Sequence, residues 1–213
     1  KYIRKYMKLP EVRERTVYRI EPELFLTNVL GLNIGYFHLS YDNSLLGLTA
    51  FEEVLVNVLT AGDTEESILL DGNTVLVESD LQYDDKLRGR KNFTLMHEGS
   101  HQIFKKLFPT EYGIVRNQAT PVRYYRAGNE KNARIKDWEE WQANTLASAI
   151  LLPKELILRG MYLFSLGEQI NCLNRIYCPI VFERFSAMAD FLGSSKKALA
   201  IRMKQLGLVK KEY

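Results

Sequence analysis

The sequence predicts an α+β protein in which β-rich segments come first and helices follow. Between Ile34 and Val77, apolar residues alternate or form the short aliphatic runs typical of strands. Beyond Arg90, the apolar spacing changes to the 3.6-residue period of a helix. The chain has 213 residues, enough to bury a sizeable core, and no linker-like stretch divides it. We expect a main domain over 1–155 and a C-terminal helical, helix-turn-helix-like segment over 156–213 packed on it.

The first part of the chain contains one predicted helix and several predicted strands. A short helix is expected over 21–30, where Pro22 suits the first turn. Two further segments read as β-rich, at 34–40 and 45–51. Within 68–77, Asp71-Gly72 separates two aliphatic runs, and Asp-Gly in that position is a strong hairpin signal. The sequence therefore predicts a β-hairpin that turns at these two residues.

Helices dominate the second part of the predicted fold. Asn92 can cap a helix that runs to Phe108, where Pro109 stops it. On this helix we expect an apolar stripe, with Gln102 among the residues that face water. Asp137 has the character of an N-cap for a second long helix. The remaining predicted boundaries are an end of that helix before Pro153 and two late helices over 182–192 and 195–206.

Composition excludes several classes of protein. Lys plus Arg exceeds Asp plus Glu by 29 − 26 = 3, which is too small an excess to indicate nucleic-acid binding by itself. The aliphatic runs fall far short of the roughly 20 residues of a membrane span. The two cysteines, Cys172 and Cys178, form no disulfide framework, and we expect two buried free thiols. These features favour a cytoplasmic protein without a membrane segment.

The strongest functional signal is His97-Glu98-x-x-His101. Residues four apart on a helix are neighbours, so both imidazoles can place a ring nitrogen on one zinc ion. Glu98, about 100° around the same turn, can take a proton from the attacking water without having to bind the metal. The pattern predicts a metallohydrolase site, with one zinc ion per chain.

Zinc in a catalytic site needs a third protein ligand. His38 is the other histidine of the chain, but its place in a β-rich segment favours ordinary packing. Glu140 is the better candidate, because Asn144 stands one helical turn beyond it and could orient it. A capping box formed by Asp137 and Glu140 is an equally good interpretation of the spacing.

The two predicted helices together resemble a known family. Phe93-Thr-Leu-Met-His-Glu-x-x-His, followed by Glu140-x-x-Ala-Asn-x-x-Ala-Ser-x-x-Leu-Leu-Pro153, is similar to the paired motifs of the ImmA/IrrE metallo-endopeptidases. The likeness extends more weakly from Ile68 to Leu208. Two features differ from the family pattern: Gly-Ser replaces Leu-Gly inside the first motif, and the loop between the helices is longer.

The resemblance implies a zincin-like domain, with a small antiparallel-rich sheet, a His-Glu-x-x-His helix and a Glu helix. It implies that His97, His101 and Glu140 bind zinc and that Glu98 is the general base and acid. It also implies a cytoplasmic endopeptidase that cleaves a helix-turn-helix transcriptional repressor, often one that controls a mobile genetic element. The expected partner is therefore a protein substrate.

Other candidates carry weaker signals. The oxyanion could be stabilised by a side chain of the long loop, where the possible donors are Tyr112, Arg123, Tyr124 and Tyr125. Strand Thr74–Val77 could pair with an extended substrate, although an ordinary sheet strand is the favoured interpretation. The basic end of the chain, 196–213, could contact DNA. The alternative function is therefore a DNA-binding or antitoxin-like regulator with a sensory or vestigial zinc site, although nucleic acid is the less favoured partner.

Overall fold

The structure of the protein is a computed structural model that describes residues 1–14, 16–60, 64–109, 122–126 and 138–212, apart from the side chains of 123–126 and 211–212. Within this part of the chain, α-helices accompany three small β-sheets, which confirms the predicted α+β class. None of the described helices is both long enough and apolar enough to cross a bilayer.

The helices are spread along the whole described chain. The α-helices are α1 (Tyr2–Tyr6), α2 (Pro10–Arg13), α3 (Pro22–Leu24), α4 (Asp80–Tyr83), α5 (Arg88–Leu107), α6 (Trp138–Leu151), α7 (Lys154–Leu163), α8 (Pro179–Phe191) and α9 (Lys196–Gln205). A π-helical turn, Phe25–Leu30, continues α3, and a 3₁₀ turn, Asp85–Leu87, precedes α5. The helix predicted over 21–30 is therefore present. It begins at Pro22 and becomes π-helical from Phe25.

The main sheet contains four strands in the order β1-β5-β2-β6. The strands of the protein are β1 (Asn33–Phe37), β2 (Leu45–Ala50), β3 (Val54–Thr60), β4 (Thr64–Leu70), β5 (Thr74–Glu78), β6 (Val122–Arg126), β7 (Ile170–Leu173) and β8 (Val209–Glu212). β1 pairs with β5 in parallel, whereas β5 with β2 and β2 with β6 are antiparallel. β6 lies at one end of this strand order, and β5 lies inside it.

The predicted hairpin at Asp71-Gly72 is wrong. β4 pairs with β3 in a separate two-stranded ribbon, and β5 joins the main sheet instead. Asp71 does form a turn, because its side chain accepts hydrogen bonds from the N–H of Asn73 and the hydroxyl of Thr74. The turn therefore carries the chain from one sheet to another. The partner of β4 is β3, an apolar strand that was not among the predicted strands.

α5 begins at Arg88, four residues before the predicted cap at Asn92. Asn92 lies inside the helix, and its side-chain amide donates to the carbonyl oxygen of Gly193 at 2.8 Å. Gln102 was expected to face water, but it is buried and donates to Thr49 Oγ1 at 2.8 Å and to the carbonyl of Ala50 at 2.7 Å. The sheet covers this side of the helix, so the buried face is wider than one apolar stripe.

The C-terminal part is not wholly helical. Strands β7 and β8 pair in parallel and frame α8 and α9, which are joined through Gly193 at a positive φ of 67°. Cys172 and Cys178 form no disulfide, as expected, but both are only partly buried. The predicted domain boundary after residue 155 falls within α7, and the larger core cluster contains residues from both sides of it.

Candidate metal centre

α5 carries the three functional groups of the motif into the interior. His97, Glu98 and His101 are buried, with exposed fractions of 0%, 0% and 1%. Gly99, in the same turn of α5, lies close to the π-helical turn. A methyl group at this position would lie 2.9 Å from Leu26 Cδ1. The glycine within the motif, a departure from the family pattern, therefore permits the π-helical turn to pack directly on α5.

α6 supplies the fourth side chain from a distant part of the sequence. Ala143 and Ala147 are fully buried on the face that packs against α5, so the two helices approach closely. Glu140 lies on this face and extends towards the two imidazoles. Asp137, the other half of the alternative capping box, lies outside the described residues. In the structure, the Glu140 carboxylate faces the two imidazoles of α5, as a third ligand would.

The ligand atoms converge on one point between the helices. His97 Nε2 lies 3.1 Å from His101 Nε2. The two oxygens of Glu140 lie 3.1 Å from these nitrogens, Oε2 from His97 and Oε1 from His101. Ligands at zinc distances in tetrahedral geometry are separated by about 3.3 Å. The spacing of these atoms is thus close to one face of a zinc tetrahedron.

Asn144 completes the arrangement one turn beyond Glu140. Its Oδ1 lies 3.1 Å from His97 Nδ1, so the ring N–H donates to the amide oxygen. In the neutral ring, the form that binds a metal ion, that hydrogen bond leaves the lone pair of His97 on Nε2, the nitrogen that faces Glu140. The expected partner of Asn144 was Glu140, whereas in the structure its amide oxygen contacts His97.

Glu98 lies beside this cluster, against the sheet. A methyl group at Gly47 in β2 would lie 3.1 Å from Glu98 Oε1 and 2.7 Å from Thr94 Cγ2. The absence of a side chain at Gly47 therefore makes room for the carboxylate. Gly47 was not among the predicted site residues, although a glycine inside an aliphatic strand is a usual sign of close approach.

The electrostatics of the two carboxylates differ. Burial raises the pKa of Glu98 well above its ordinary value, and the negative charge of Glu140 adds to that rise. For Glu140, burial also acts upwards, but hydrogen bonds with His101 and His97 hold its pKa below the ordinary value. One carboxylate is therefore ionised and shared by two imidazoles, and the other has the raised pKa of a proton carrier.

Two observations fit a divalent cation at this point. The donor set of two imidazole nitrogens and one carboxylate suits zinc. In addition, both oxygens of Glu98 are buried and have no hydrogen-bond partner among the described residues. A buried, unpartnered carboxylate is costly. A nearby cation would offset that cost and reverse the rise in pKa.

The other predicted candidates lie elsewhere. His38 is not part of this cluster: it follows β1 and contacts Glu78. Thr74–Val77 lies in β5, which has β1 on one side and β2 on the other, so it cannot take a substrate strand. Tyr112 lies outside the described residues. Arg123, Tyr124 and Tyr125 belong to β6 by their backbone, and their side chains are outside the description.

The three candidate ligands come from α5 and α6, and the C-terminal helices α8 and α9 pack against parts of the chain next to them. Their connection packs against the start of α5, since a methyl group at Gly89 would lie 2.5 Å from the backbone nitrogen of Ser195. Arg202 donates from Nε to the carbonyl oxygen of Leu152 at 3.3 Å, just beyond the end of α6. Arg202, one of the basic residues of α9, therefore forms a contact within the protein.

Comparison of the chain with family models, with curated proteins and with solved structures gives no match.

Proposed function

We propose that this protein is a zinc-dependent endopeptidase with a zincin-like catalytic arrangement. The observation that carries the proposal is the convergence of His97, His101 and Glu140 beside Glu98, a buried carboxylate with no hydrogen-bond partner in the part of the chain that the structure describes. Three ligands of this kind leave one position for water or substrate, as in catalytic rather than structural zinc sites. The family resemblance of the two motifs supports the same conclusion.

Each residue has a separate role in the proposed reaction. When bound, zinc polarises the scissile carbonyl and lowers the pKa of water towards neutrality. His97, His101 and Glu140 would hold the ion, and Asn144 keeps the His97 ring in the required tautomer. Glu98 accepts the proton of the attacking water at a carboxylate oxygen and later delivers it to the leaving amine.

The sheet offers a place for an extended substrate. β6 ends the strand order of the main sheet, and Tyr125 of β6 pairs with Gly47 of β2. Gly47 in turn lies against Glu98. We expect an extended peptide to add to the outer edge of β6, the strand next to β2, with main-chain hydrogen bonds supplying affinity.

The substrate class follows from the resemblance. It supports a helix-turn-helix repressor as the target, because ImmA/IrrE enzymes cleave such regulators. The proposed enzyme is selective, and we expect weak cleavage of generic proteins such as casein.

The test is cleavage of the repressor encoded beside this gene, followed by mass analysis of the fragments. Wild type with zinc should produce one defined cut, which a chelator abolishes and added zinc restores. Glu98→Gln should keep the zinc ion at the candidate centre and lose cleavage. Glu140→Gln should lose the ion at this centre, whereas Glu139→Gln, its neighbour on the same helix, should keep both that ion and cleavage.

The outcome that contradicts the metal site is undiminished zinc binding in Glu140→Gln. Cleavage that persists in Glu98→Gln would exclude the proposed general base. If wild type binds zinc but leaves the repressor and a library of extended peptides uncut, the endopeptidase proposal fails. Salt-dependent binding to duplex DNA that survives Glu98→Gln would then favour the regulator.

A further inference from the structure

A second group of potential ligands lies at the other end of the main sheet. β1 and β5 are parallel, so their carboxyl ends meet at the same edge. His38 follows β1, Glu78 ends β5, and Asp80 begins α4. Residues far apart in the sequence are brought together here by strand pairing alone.

The three side chains approach each other closely. His38 Nδ1 lies 2.9 Å from Glu78 Oε1 and 3.9 Å from Asp80 Oδ1. One ligand atom from each residue can be chosen so that all three lie within 4.8 Å of one another. The donor types, one imidazole and two carboxylates, are those that bind zinc in open sites.

Each carboxylate is held by its other oxygen. Glu78 Oε2 accepts a hydrogen bond from the backbone N–H of Leu39 at 2.9 Å. Asp80 Oδ2 accepts from the side-chain amide of Asn43 at 3.2 Å. The remaining oxygens, Glu78 Oε1 and Asp80 Oδ1, are those nearest His38. The hydroxyl of Ser79 lies beside the same atoms, 3.2 Å from Glu78 Oε1 and 2.9 Å from His38 Nδ1, and a metal ion would replace these contacts. Outer hydrogen bonds that orient ligands in this manner are a regular feature of metal sites.

The cluster places one buried and one half-exposed carboxylate beside a single imidazole. The Glu78 side chain is only 2% exposed, whereas those of His38 and Asp80 are about half exposed. Within the described part of the chain, neither carboxylate forms an ion pair with Lys or Arg. The buried negative charge can be balanced by a proton on His38 or by a cation bound among the three groups.

We propose that His38, Glu78 and Asp80 form a second site for a divalent metal ion of the zinc type. The exposed side of the cluster leaves positions for water, so an ion bound there would be open to solvent. His38 also accepts a backbone hydrogen bond from Leu59 at 2.8 Å, which joins β1 to the β3–β4 ribbon. A metal ion here fastens the ribbon to the main sheet. This proposal does not depend on the peptidase activity.

The test is zinc stoichiometry of the full chain after dialysis against buffered zinc, measured by elemental analysis and by calorimetric titration of the metal-free protein. Wild type is expected to bind two equivalents, and His38→Ala one. Asp80→Asn should weaken the same site by at least about 10-fold, because it removes one ionised ligand. Asp42→Asn, a carboxylate of the neighbouring loop, is the matched control and should bind two.

Changes at the first centre separate the two proposals. His97→Ala should lose one equivalent and keep the one that depends on His38. A wild type that binds a single ion, lost in His97→Ala and kept in His38→Ala, overturns the second site. A single ion lost only in His38→Ala supports the second site and overturns the first. If His38→Ala unfolds, Asp80→Asn gives the same decision, since Asp80 is half exposed.

Discussion

The amide oxygen of Asn144 lies 3.1 Å from His97 Nδ1 and connects α6 to α5 at the candidate metal centre. Both helices therefore contribute twice, since α6 supplies Glu140 and Asn144 while α5 supplies the two imidazoles. The contact determines which nitrogen of His97 is free to bind a metal ion. It is the most direct route by which a residue outside the ligand set can influence the site.

Replacing Asn144 with Ala is expected to weaken zinc binding by about 10- to 100-fold, because the N–H of a buried ring loses its acceptor. Competition with a coloured chelator measures the change. Asn144→Asp keeps an acceptor and should bind zinc more tightly than the Ala variant. Equal affinity in wild type and Asn144→Ala would show that the contact does not orient His97.

Gly47→Ala is expected to reduce kcat/KM for the repressor by about 100-fold while zinc remains bound, because the added methyl group displaces Glu98. Thr94 Cγ2 would also be crowded, at 2.7 Å. The double variant Gly47→Ala, Thr94→Ser removes that second contact and restores packing. It should recover thermal stability but not cleavage. Recovery of full activity in the double variant would show that the loss of activity in Gly47→Ala comes from the contact with Thr94 and not from displacement of Glu98.

Glu98→Leu is expected to raise the free energy of unfolding of the metal-free protein by about 1–3 kcal/mol, because it removes a buried carboxylate that has no hydrogen-bond partner among the described residues. Urea unfolding in excess chelator measures this change. Glu98→Gln keeps a buried polar group and should give a smaller increase. A Leu variant less stable than wild type would mean that Glu98 has a stabilising contact in the folded protein.

Asp71 provides a pH dependence that is separate from the metal centre. The hydroxyl of Thr74 and the N–H of Asn73 lower the pKa of Asp71 below its ordinary value of 3.8. A carboxyl with a lowered folded pKa contributes stability above the unfolded pKa and loses it as pH falls through the folded pKa. Asp71→Asn should therefore flatten the acid side of the stability curve, measured by urea midpoints between about pH 6 and pH 2. The same substitution in a Thr74→Val background should have a smaller effect, and equal effects in both backgrounds would contradict this origin.

Periodicity and short motifs were sufficient for the outline of the fold. The α+β class, the long helix that carries His97 and His101, and the helix that carries Glu140 all follow from local spacing, which is a property of neighbouring residues. The end of α5 before Pro109 follows in the same manner. Local chemistry also placed two imidazoles one turn apart with a carboxylate between them. These features needed no knowledge of distant contacts.

Errors arose wherever a distant segment supplied the partner. The Asp71-Gly72 turn was predicted to form a hairpin, because the sequence does not show that β4 pairs with β3 and that β5 pairs with β1 and β2. Gln102 was expected in water because the sheet that covers it is formed by residues some fifty positions away. Strand pairing and helix burial depend on such long-range contacts, which leave no periodic signal.

The sequence by itself determined which residue types can bind zinc and move a proton, since that chemistry belongs to side chains four residues apart on one helix. Only the tertiary structure decided that Glu140 is the group that faces both imidazoles, that Asn144 serves His97, and that Gly47 makes room for Glu98. It also separated His38 from this centre and placed it with Glu78. The reason is physical: a metal centre requires atoms within a few ångströms, and only the packing of α6 on α5 and of α5 on the sheet sets those distances.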